Sequence, residues 1–180
     1  MMKYSAFIAT SLDGFIARTN GDIKWLHEAS VGVDKGEDFG FQAFFSGIDA
    51  MIMGRSTFEI VAAFGDWPYG EIPVLILSSM MVALPKTTPE TVTLIKGGIS
   101  EAIKKAENAG YHHVYVDGGK TIQSFLQAGL LNDITLTTIP IVLGDGIPLF
   151  GKVGHDIHLL LLASKAYPNG FVQTHYEIKN

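Results

Sequence analysis

Two glycine-containing segments carry the residues best suited to bind an anion. They are residues 53–57, Met-Gly-Arg-Ser-Thr, and residues 117–121, Asp-Gly-Gly-Lys-Thr. Each follows a strand-like apolar run and precedes a helical pattern, and the N–H groups that begin a helix are unpaired and carry a partial positive charge. Arg55 adds a fixed cation to the first segment. The sequence therefore predicts two anion sites that together could hold a pyrophosphate.

A purely structural role explains the same residues in simpler terms. Gly54 would permit a turn while Ser56 caps the next helix, and Gly118 with Gly119 would form a tight turn. The chain has no G-x-G-x-x-G fingerprint, which weakens an ordinary Rossmann interpretation. Both interpretations stay open at the level of single motifs.

Two further segments lie where a ligand would bind. Ser78 and Ser79 end an apolar strand, and ligands of open α/β sheets bind outside the carboxyl ends of strands, so their hydroxyls could bind a phosphate or ribose. Serines in that position are also common turn formers. Residues 11–26 form an unusually long connection containing Asp13-Gly14, which indicates a lid or binding loop.

The elements that position these segments alternate between strand and helix, which is typical of an α/β sheet protein. Asn169-Gly170 predicts a final hairpin turn, and the apolar run at residues 51–53 indicates burial on both faces. We expect one domain over residues 1–180, with a mixed, mainly parallel, three-layer architecture. The predicted strands are residues 3–10, 50–53, 74–77, 92–95, 113–116, 134–139, 157–165 and 171–178, and the predicted helices are residues 37–45, 56–63, 99–109 and 121–128.

Composition excludes several classes of function. The formal net charge is -5, the chain has only two arginines, and no basic stripe is available for nucleic acid. The sequence has no cysteine and hence no thiolate metal site, and its six histidines do not have the spacing of metal ligands. We therefore expect no bound metal, and we expect the histidines to be exposed. The N-terminus has no signal-peptide pattern and no apolar stretch is long enough to span a membrane, which predicts a cytoplasmic protein.

Taken together and in order, these segments resemble the dihydrofolate-reductase-like superfamily. The Ser-Leu-Asp-Gly element and the late Pro140-to-Phe150 stretch resemble specifically the C-terminal reductase domain of riboflavin deaminase/reductases and its stand-alone bacterial relatives. The resemblance covers most of the chain and implies a three-layer α/β/α dihydrofolate-reductase-like fold. The matching segments are residues 8–17, 53–59, 77–79, 116–119 and 140–150.

The resemblance implies an NADPH-dependent reductase and assigns its cofactor site. Ala9 and Ile16 match positions that line the nicotinamide, while Arg55, Ser78 and Ser79 match contacts to the adenosine 2′-phosphate. It also implies a homodimer, for which the leucines at residues 159–162 could furnish an interface or instead form a doubly covered core strand. The two turns that match phosphate contacts comprise Gly54, Arg55, Ser56 and Thr57, and Asp117, Gly118, Gly119, Lys120 and Thr121.

Three aspartates are candidates for the proton donor. Asp38 matches the helix position of the substrate-binding acid in dihydrofolate reductases, and we expect nearby phenylalanines to raise its pKa. Alternatively, residues 34–37 form a capping box and Asp38 only complements the helix dipole. Asp13 and Asp117 are alternative donors, although both also suit turns beside glycine.

The substrate is expected to be a small heterocycle. Relatives that act on a phosphoribosylamino-pyrimidine use arginines in the segment before the second strand, whereas residues 44–49 here contain no cation. A phosphate would lack charge-assisted hydrogen bonds there, so a neutral or aromatic heterocycle fits better. Trp25 and Trp67 could wall its pocket, or pack in the core. The alternative function is an NADPH-binding module or sensor without catalysis.

Overall fold

Strands and helices alternate along the chain in a computed structural model, which describes residues 2–30 and 36–179. The strands are β1 (Lys3–Ser11), β2 (Phe15–Ala17), β3 (Ala50–Gly54), β4 (Val74–Leu77), β5 (Val92–Ile95), β6 (His113–Asp117), β7 (Asp133–Ile139), β8 (Ile147–Pro148), β9 (His158–Ala166) and β10 (Val172–Lys179). The helices are α1 (Lys24–Ala29), α2 (Phe41–Phe45), α3 (Arg55–Ala62), α4 (Gly98–Asn108) and α5 (Gly119–Gln127). None of the helices described is long and apolar enough to cross a membrane.

The main sheet has eight strands in the order β5-β4-β3-β6-β1-β7-β10-β9. The pairs from β5 to β7 are parallel, whereas β10 runs antiparallel to both β7 and β9. The predicted mixed, mainly parallel sheet that ends in a hairpin is therefore confirmed. The eight predicted strands agree with these bounds to within a residue, because β-branched and aromatic runs bounded by turns mark strands clearly.

Helices cover both faces of this sheet. On one face, residues of α4 and α5 pack with Ile52 and Val116, and on the other, Phe58 of α3 and the phenylalanines of α2 pack with Met51 and Met53. Met51, Ile52 and Met53 are all fully buried. The predicted burial of β3 on both faces and the predicted three-layer architecture are thus confirmed.

The first predicted helix begins later than expected. We predicted residues 37–45, but α2 starts at Phe41 because Phe39 and Gly40 have φ angles of 55° and 82°. These left-handed conformations cannot belong to a right-handed helix. Of the predicted capping box, Asp34 and Lys35 lie outside the described residues. Ser100 lies inside α4, whose N-cap is Gly97.

The predicted lid, residues 11–26, contains regular structure that the sequence analysis missed. It includes β2, which pairs with β8, and it ends in the first residues of α1. The Asp13 carboxylate accepts hydrogen bonds from the backbone N–H groups of Leu143 and Gly144, at 3.1 Å and 2.8 Å. The segment is therefore bound to the chain that follows β7.

Candidate functional site

The two glycine turns lie side by side at the carboxyl edge of the sheet. Their strands β3 and β6 are parallel neighbours, with Met53 opposite Asp117. A Cβ atom on Gly54 would lie 3.2 Å from Thr121 Oγ1, and one on Gly118 would overlap Thr57 Oγ1. Gly118 also has a φ of 87°, which favours glycine. The structure thus brings both predicted anion-binding segments into direct contact.

Helices α3 and α5 start at these turns with their first N–H groups uncapped by a side chain. The N-caps are Gly54 and Gly118, which have no side chain to accept from the first turn. The alternative role of Ser56 as the N-cap is therefore wrong, because Ser56 lies inside the first turn, where it is exposed. Two helix starts on adjoining strands concentrate partial positive charge at one place.

Cationic and hydroxyl side chains surround the two turns. Arg55 is half-exposed, and its guanidinium forms an ion pair of 2.9 Å with Glu59 one helical turn later. Lys120 is exposed on the first turn of α5. Ser78 Oγ accepts a hydrogen bond of 3.0 Å from the N–H of Met81, so the turn-forming role of this serine is present. Ser79 is exposed.

The two residues matched to the nicotinamide lie on β1 and β2. Strand β1 neighbours β6 on the side away from β3. Ile16 of β2 rests against the second turn, since a Cβ atom on Gly119 would lie 2.8 Å from Ile16 Cδ1. Ala9 lies near the carboxyl end of β1, the strand beside β6, where it packs against the cluster containing Trp25. Trp25 is buried, so its core role is confirmed.

Asp38 does not have the raised pKa that we expected. Its two carboxylate oxygens accept hydrogen bonds from the N–H groups of Gly40, at 2.9 Å, and Gln42, at 2.7 Å. These bonds, that of Gln42 first, stabilise the ionised form and lower the pKa of Asp38. The expectation was wrong because the nearby backbone donors outweigh the burial by phenylalanine. Asp38 supports the start of α2.

Asp13 is also held as a carboxylate. The Ser11 hydroxyl donates to it at 2.6 Å, and this bond, with those from Gly144 and Leu143, lowers the pKa of Asp13. The side chain is exposed. Its contacts give Asp13 the structural role of joining the segment after β1 to the segment after β7.

Asp117 has the opposite electrostatic environment. It lies at the carboxyl end of the central strand β6, where desolvation raises its pKa to about 6, opposed by a hydrogen bond of 2.8 Å from the Gly118 N–H. The Tyr115 hydroxyl on the same strand donates to the Phe7 carbonyl at 2.8 Å. Burial raises the pKa of Tyr115 and of Tyr69, and the charge of Asp117 adds to both effects. Asp117 is therefore the one of the three candidate carboxyl groups that can carry a proton close to neutral pH.

Aromatic rings cover the face of the sheet on which Asp117 lies. Phe44 of α2 packs at 5.1 Å, between ring centroids, on both Phe7 and Tyr115. Tyr69 packs edge-on against Trp67 at 5.3 Å. Trp67 is half-buried and belongs to the same cluster. The arrangement places tilted and edge-on aromatic rings on the same face of the sheet as this carboxyl group.

The segment between α2 and β3 contributes an anion and no cation to this region. The Asp49 carboxylate accepts hydrogen bonds from the backbone N–H groups of His112 and His113, at 2.7 Å and 2.8 Å. These bonds lower the pKa of Asp49. The segment thus closes the turn into β3 and offers no group that would pair with a phosphate.

The sequence analysis missed a polar cluster at the opposite end of the parallel strands, where β1, β6 and β7 begin. Ser5 Oγ lies 2.8 Å from His113 Nε2 and 3.0 Å from the buried Asp133 carboxylate, which also pairs with Lys3 at 2.8 Å and His175 at 3.2 Å. Burial lowers the pKa of His113. The expected exposure of all histidines was therefore wrong, since four separate strands bring these residues together.

Metal binding has no support in the parts of the chain that are described. Over residues 2–30 and 36–179, no group of three or more histidine, aspartate or glutamate side chains is placed to hold a metal ion.

Similarity to known proteins agrees with this fold and arrangement. The Bacillus subtilis (strain 168) protein YwjB is 31% identical over 177 residues, which cover 97% of each chain. The crystal structure of a Shewanella sp. PV-4 protein named for riboflavin biosynthesis has 38% identity and a TM-score of 0.91, and covers 99% of this chain and 100% of that one.

A more distant structure shares the fold alone. It is the diaminohydroxyphosphoribosylaminopyrimidine deaminase/5-amino-6-(5-phosphoribosylamino)uracil reductase of Thermotoga maritima, at 14% identity and a TM-score of 0.72. The match covers 98% of this chain and 56% of the Thermotoga chain. The family model of the RibD C-terminal domain matches residues 3–173. This chain therefore belongs to the RibD C-terminal domain family, which has the dihydrofolate-reductase-like fold.

Proposed function

We propose that this chain is an NADPH-dependent reductase that transfers hydride to a small heterocyclic substrate. The observation that carries the proposal is the contact between the two uncapped helix starts at Gly54 and Gly118, with Asp117 beside them. Two adjoining sources of N–H donors suit a pyrophosphate, and a protonatable carboxyl group suits the proton that a reduction consumes.

The chain's own residues supply the binding groups for this cofactor. The N–H groups that begin α3 and α5 would hold the phosphates, and Arg55 with Ser79 would contact the 2′-phosphate. Ile16, which lies against Gly119, and Ala9 of β1 would pack on the nicotinamide side. NADPH, when bound, supplies the hydride, and the protein supplies orientation and the proton.

Asp117 takes the role of proton donor in this proposal, in place of Asp38 and Asp13. Its carboxyl group would hold the proton and donate it to the substrate atom next to the carbon that is reduced. Because its pKa is about 6, kcat/KM should fall as the pH rises above this value and the carboxyl group ionises. The phenols of Tyr69 and Tyr115 stay protonated throughout this range and remain hydrogen-bond donors.

The surroundings favour a planar substrate with little charge. The Thermotoga relative is named for the reduction of a phosphoribosylamino-uracil, which supports a nitrogen heterocycle. In this chain, the rings of Phe7, Phe44 and Tyr115 provide an apolar surface, and the segment before β3 provides only Asp49. A ring without the ribosyl phosphate suits that surface better.

The test is to measure NADPH oxidation with paired substrates. The pair is 5-amino-6-(5-phosphoribosylamino)uracil and its dephosphorylated form, followed by pterins and other conjugated imines, with the parent protein and Asp117→Asn. We expect turnover that Asp117→Asn lowers at least about 100-fold, because general acid catalysis contributes that much. NADPH binding, measured by calorimetry, should change little. The control is Asp156→Asn, an exposed residue in the segment before β9.

Each outcome has a distinct meaning. NADPH binding without turnover of any substrate in the panel would favour the alternative of a non-catalytic binding module. Turnover that Asp117→Asn leaves unchanged would overturn the assignment of the proton donor.

Arg55→Ala should weaken NADPH binding about tenfold and leave NADH binding nearly unchanged, since only the 2′-phosphate loses a charge-assisted hydrogen bond.

A further inference from the structure

His113, the first residue of β6, has a hydrogen-bonding neighbour at each nitrogen of its ring. Nε2 lies 2.8 Å from Ser5 Oγ. Nδ1 faces Gly47, where an added Cβ atom would lie 3.9 Å away, and the Gly47 backbone forms a hydrogen bond that favours the protonated ring. Because only an acceptor favours the cation, the Gly47 group in this bond is the carbonyl. The His113 ring therefore joins strand β1 to the segment that follows α2.

The number of protons on the His113 ring decides which of these hydrogen bonds can form. The Ser5 hydroxyl, which is fully buried, also lies 3.0 Å from a carboxylate oxygen of Asp133. A carboxylate only accepts, and it is a stronger acceptor than a neutral ring nitrogen, so Ser5 donates its one proton to Asp133. His113 Nε2 must then donate to Ser5 Oγ, and a second ring proton is needed at Nδ1 for the Gly47 carbonyl. Only the imidazolium form of His113 makes all three hydrogen bonds.

Burial works against this protonated form. Desolvation is the main cause that lowers the pKa of His113 from its ordinary 6.5, and the positive charge of Lys3 is the next. The Gly47 hydrogen bond and the charges of Asp133 and Asp49 oppose these two effects. At neutral pH the ring is therefore neutral, and its single proton remains on Nε2. The Gly47 carbonyl then loses the hydrogen bond from the ring.

The cluster is open to solvent on the β10 side. His175 of β10 pairs with Asp133 at 3.2 Å, and its side chain is 37% exposed. All nine residues of β9, the next strand, are exposed, so the interpretation of residues 159–162 as a doubly covered core strand is wrong. The other titratable side chains on the surrounding elements are His112, Tyr115, His158, Glu177 and Lys179, and helix α2 has none. The proton content of the cluster therefore follows the pH of the solution.

We infer that His113 is a positioning residue whose protonation ties the carboxyl end of α2 to the sheet and thereby regulates the candidate site. The Gly47 N–H donates to the Phe44 carbonyl at 3.2 Å, so Gly47 belongs to the turn that ends this helix. The Phe44 ring lies edge-on to His113, at 6.2 Å between ring centroids. It also packs on the rings of Phe7 and Tyr115. The regulation of catalysis rests on the proposed function, whereas the proton-dependent contact does not.

Nitrogen-15 NMR of the histidine rings and amide hydrogen exchange test this inference in the full chain. We expect His113 to titrate below pH 6.5, its ordinary pKa, and to carry its proton on Nε2 once it is neutral. The Gly47 and Ile48 N–H groups donate to carbonyls of α2. Their exchange, corrected for the intrinsic effect of pH, should be about tenfold slower when the ring is protonated, because one hydrogen bond contributes about that much.

Ser5→Ala separates this mechanism from a purely structural role of the ring. Without the Ser5 oxygen, the neutral ring can place its proton on Nδ1 and keep the Gly47 hydrogen bond. The protection of the two amides should then no longer depend on the titration of His113. The control is His27→Asn, a change at an exposed histidine of α1, which should behave as the parent does.

The parent protein alone decides the inference if Ser5→Ala folds poorly. A neutral His113 ring that carries its proton on Nδ1, or equal protection of the two amides on both sides of its titration, would contradict the inference. A folded Ser5→Ala variant that keeps the pH dependence of the parent would do the same. These measurements use neither NADPH nor a substrate, so failure of the proposed reductase function is distinguishable from failure of the proton-dependent contact.

The link to the candidate site has its own measurement. With the substrate that the NADPH oxidation assay identifies, KM should rise in the parent as His113 loses its proton, because Phe44 is then held less firmly. In Ser5→Ala, KM should stay level over the same pH range. The same course of KM in both proteins would show that this proton does not regulate the site.

Discussion

Three aspartates show how the surroundings of a carboxyl group decide its protonation. Asp13 and Asp38 each accept hydrogen bonds from two backbone N–H groups, and both have a lowered pKa. Asp117 receives one such bond, from the Gly118 N–H, and desolvation dominates. The same side chain therefore serves as an anchor at two positions and can hold a proton at the third.

The raised pKa of Asp117 has a consequence for stability. The group ionises at its ordinary pKa of 3.8 in the unfolded chain and at about 6 in the folded protein. Between about pH 4 and 6 the folded state binds more protons, so the free energy of unfolding falls as the pH rises. Asp117→Asn removes this loss of stability. We expect the variant to be more stable than the parent at neutral pH, and no more stable than the parent below about pH 4.

Urea unfolding across the pH range measures this difference. Asp38→Asn is the opposing control, because the lowered pKa of Asp38 contributes stability above its unfolded pKa that is lost as the pH falls. Asp38→Asn should thus be less stable than the parent at neutral pH. Equal pH profiles for the parent and Asp117→Asn would contradict the desolvation of Asp117.

Gly118 is required for two separate reasons that substitutions can distinguish. Gly118 and Gly154 both have a φ of 87°, but only Gly118 has a neighbour, Thr57 Oγ1, that a Cβ atom would overlap. Gly154→Ala should lose roughly 1–2 kcal/mol of stability from the left-handed backbone alone. Gly118→Ala should lose more and should also weaken NADPH binding. Equal losses in denaturant unfolding would show that the two turns are not in close contact.

At the scale of the elements, the sequence predicted the strands well. It predicted poorly the start of α2, the helix that contributes Phe44 to the candidate site. Strands such as β3 and β4 are short apolar runs between turns, a local signal. The start of α2 depends on contacts with Tyr167, Phe171 and Gln173, over a hundred residues away, which no local pattern contains. The same limit applies to the candidate site: the glycine turns were visible in the sequence, whereas the tyrosines around Asp117 come from separate segments.

Those distant contacts form a latch on α2, consisting of Phe39, Tyr167, Phe171 and Gln173. The Phe39 ring lies 4.9 Å from that of Tyr167 and 5.3 Å from that of Phe171, and Gln173 Nε2 donates to the Phe39 carbonyl at 2.9 Å and to Thr137 Oγ1 at 3.0 Å. A helix of five residues has little stability of its own. The hairpin of β9 and β10 thus positions the aromatic surface beside Asp117.

Removing the latch hydrogen bonds should loosen α2 selectively. Gln173→Leu keeps the packing volume but leaves the Phe39 carbonyl unpaired, at a cost of about 1–3 kcal/mol. We expect faster amide hydrogen exchange in α2, while α5 is unaffected. The control is Gln123→Leu, which removes hydrogen bonds to the Pro148 and Leu149 carbonyls. Unchanged exchange in α2 would show that the helix is held by its phenylalanines alone.

At the scale of the whole molecule, the proposed cofactor contacts are spread over strands from β4 to β1. Ser79, Arg55, Lys120 and Ile16 follow four different strands, which meet only in the folded sheet. NADPH bound there should stabilise the native state by about 2.7 kcal/mol at a hundred times its dissociation constant. For a chain of this size, this shifts the melting temperature by roughly 5–10 °C. Scanning calorimetry with NADPH measures this shift, with adenosine as the control ligand. An unchanged melting temperature with NADPH would argue against the cofactor site.

The sheet also determines where the two ends of the chain emerge. Asn132 accepts a hydrogen bond from the Tyr4 N–H through its side chain, at 2.7 Å, and from the Ile178 N–H through its carbonyl, at 2.8 Å. Both ends are thus anchored at one asparagine, which lies where the parallel strands begin, at the end of the sheet opposite to Gly54 and Gly118. A purification tag, a surface tether or a fused domain attached at either end would therefore leave the glycine turns accessible.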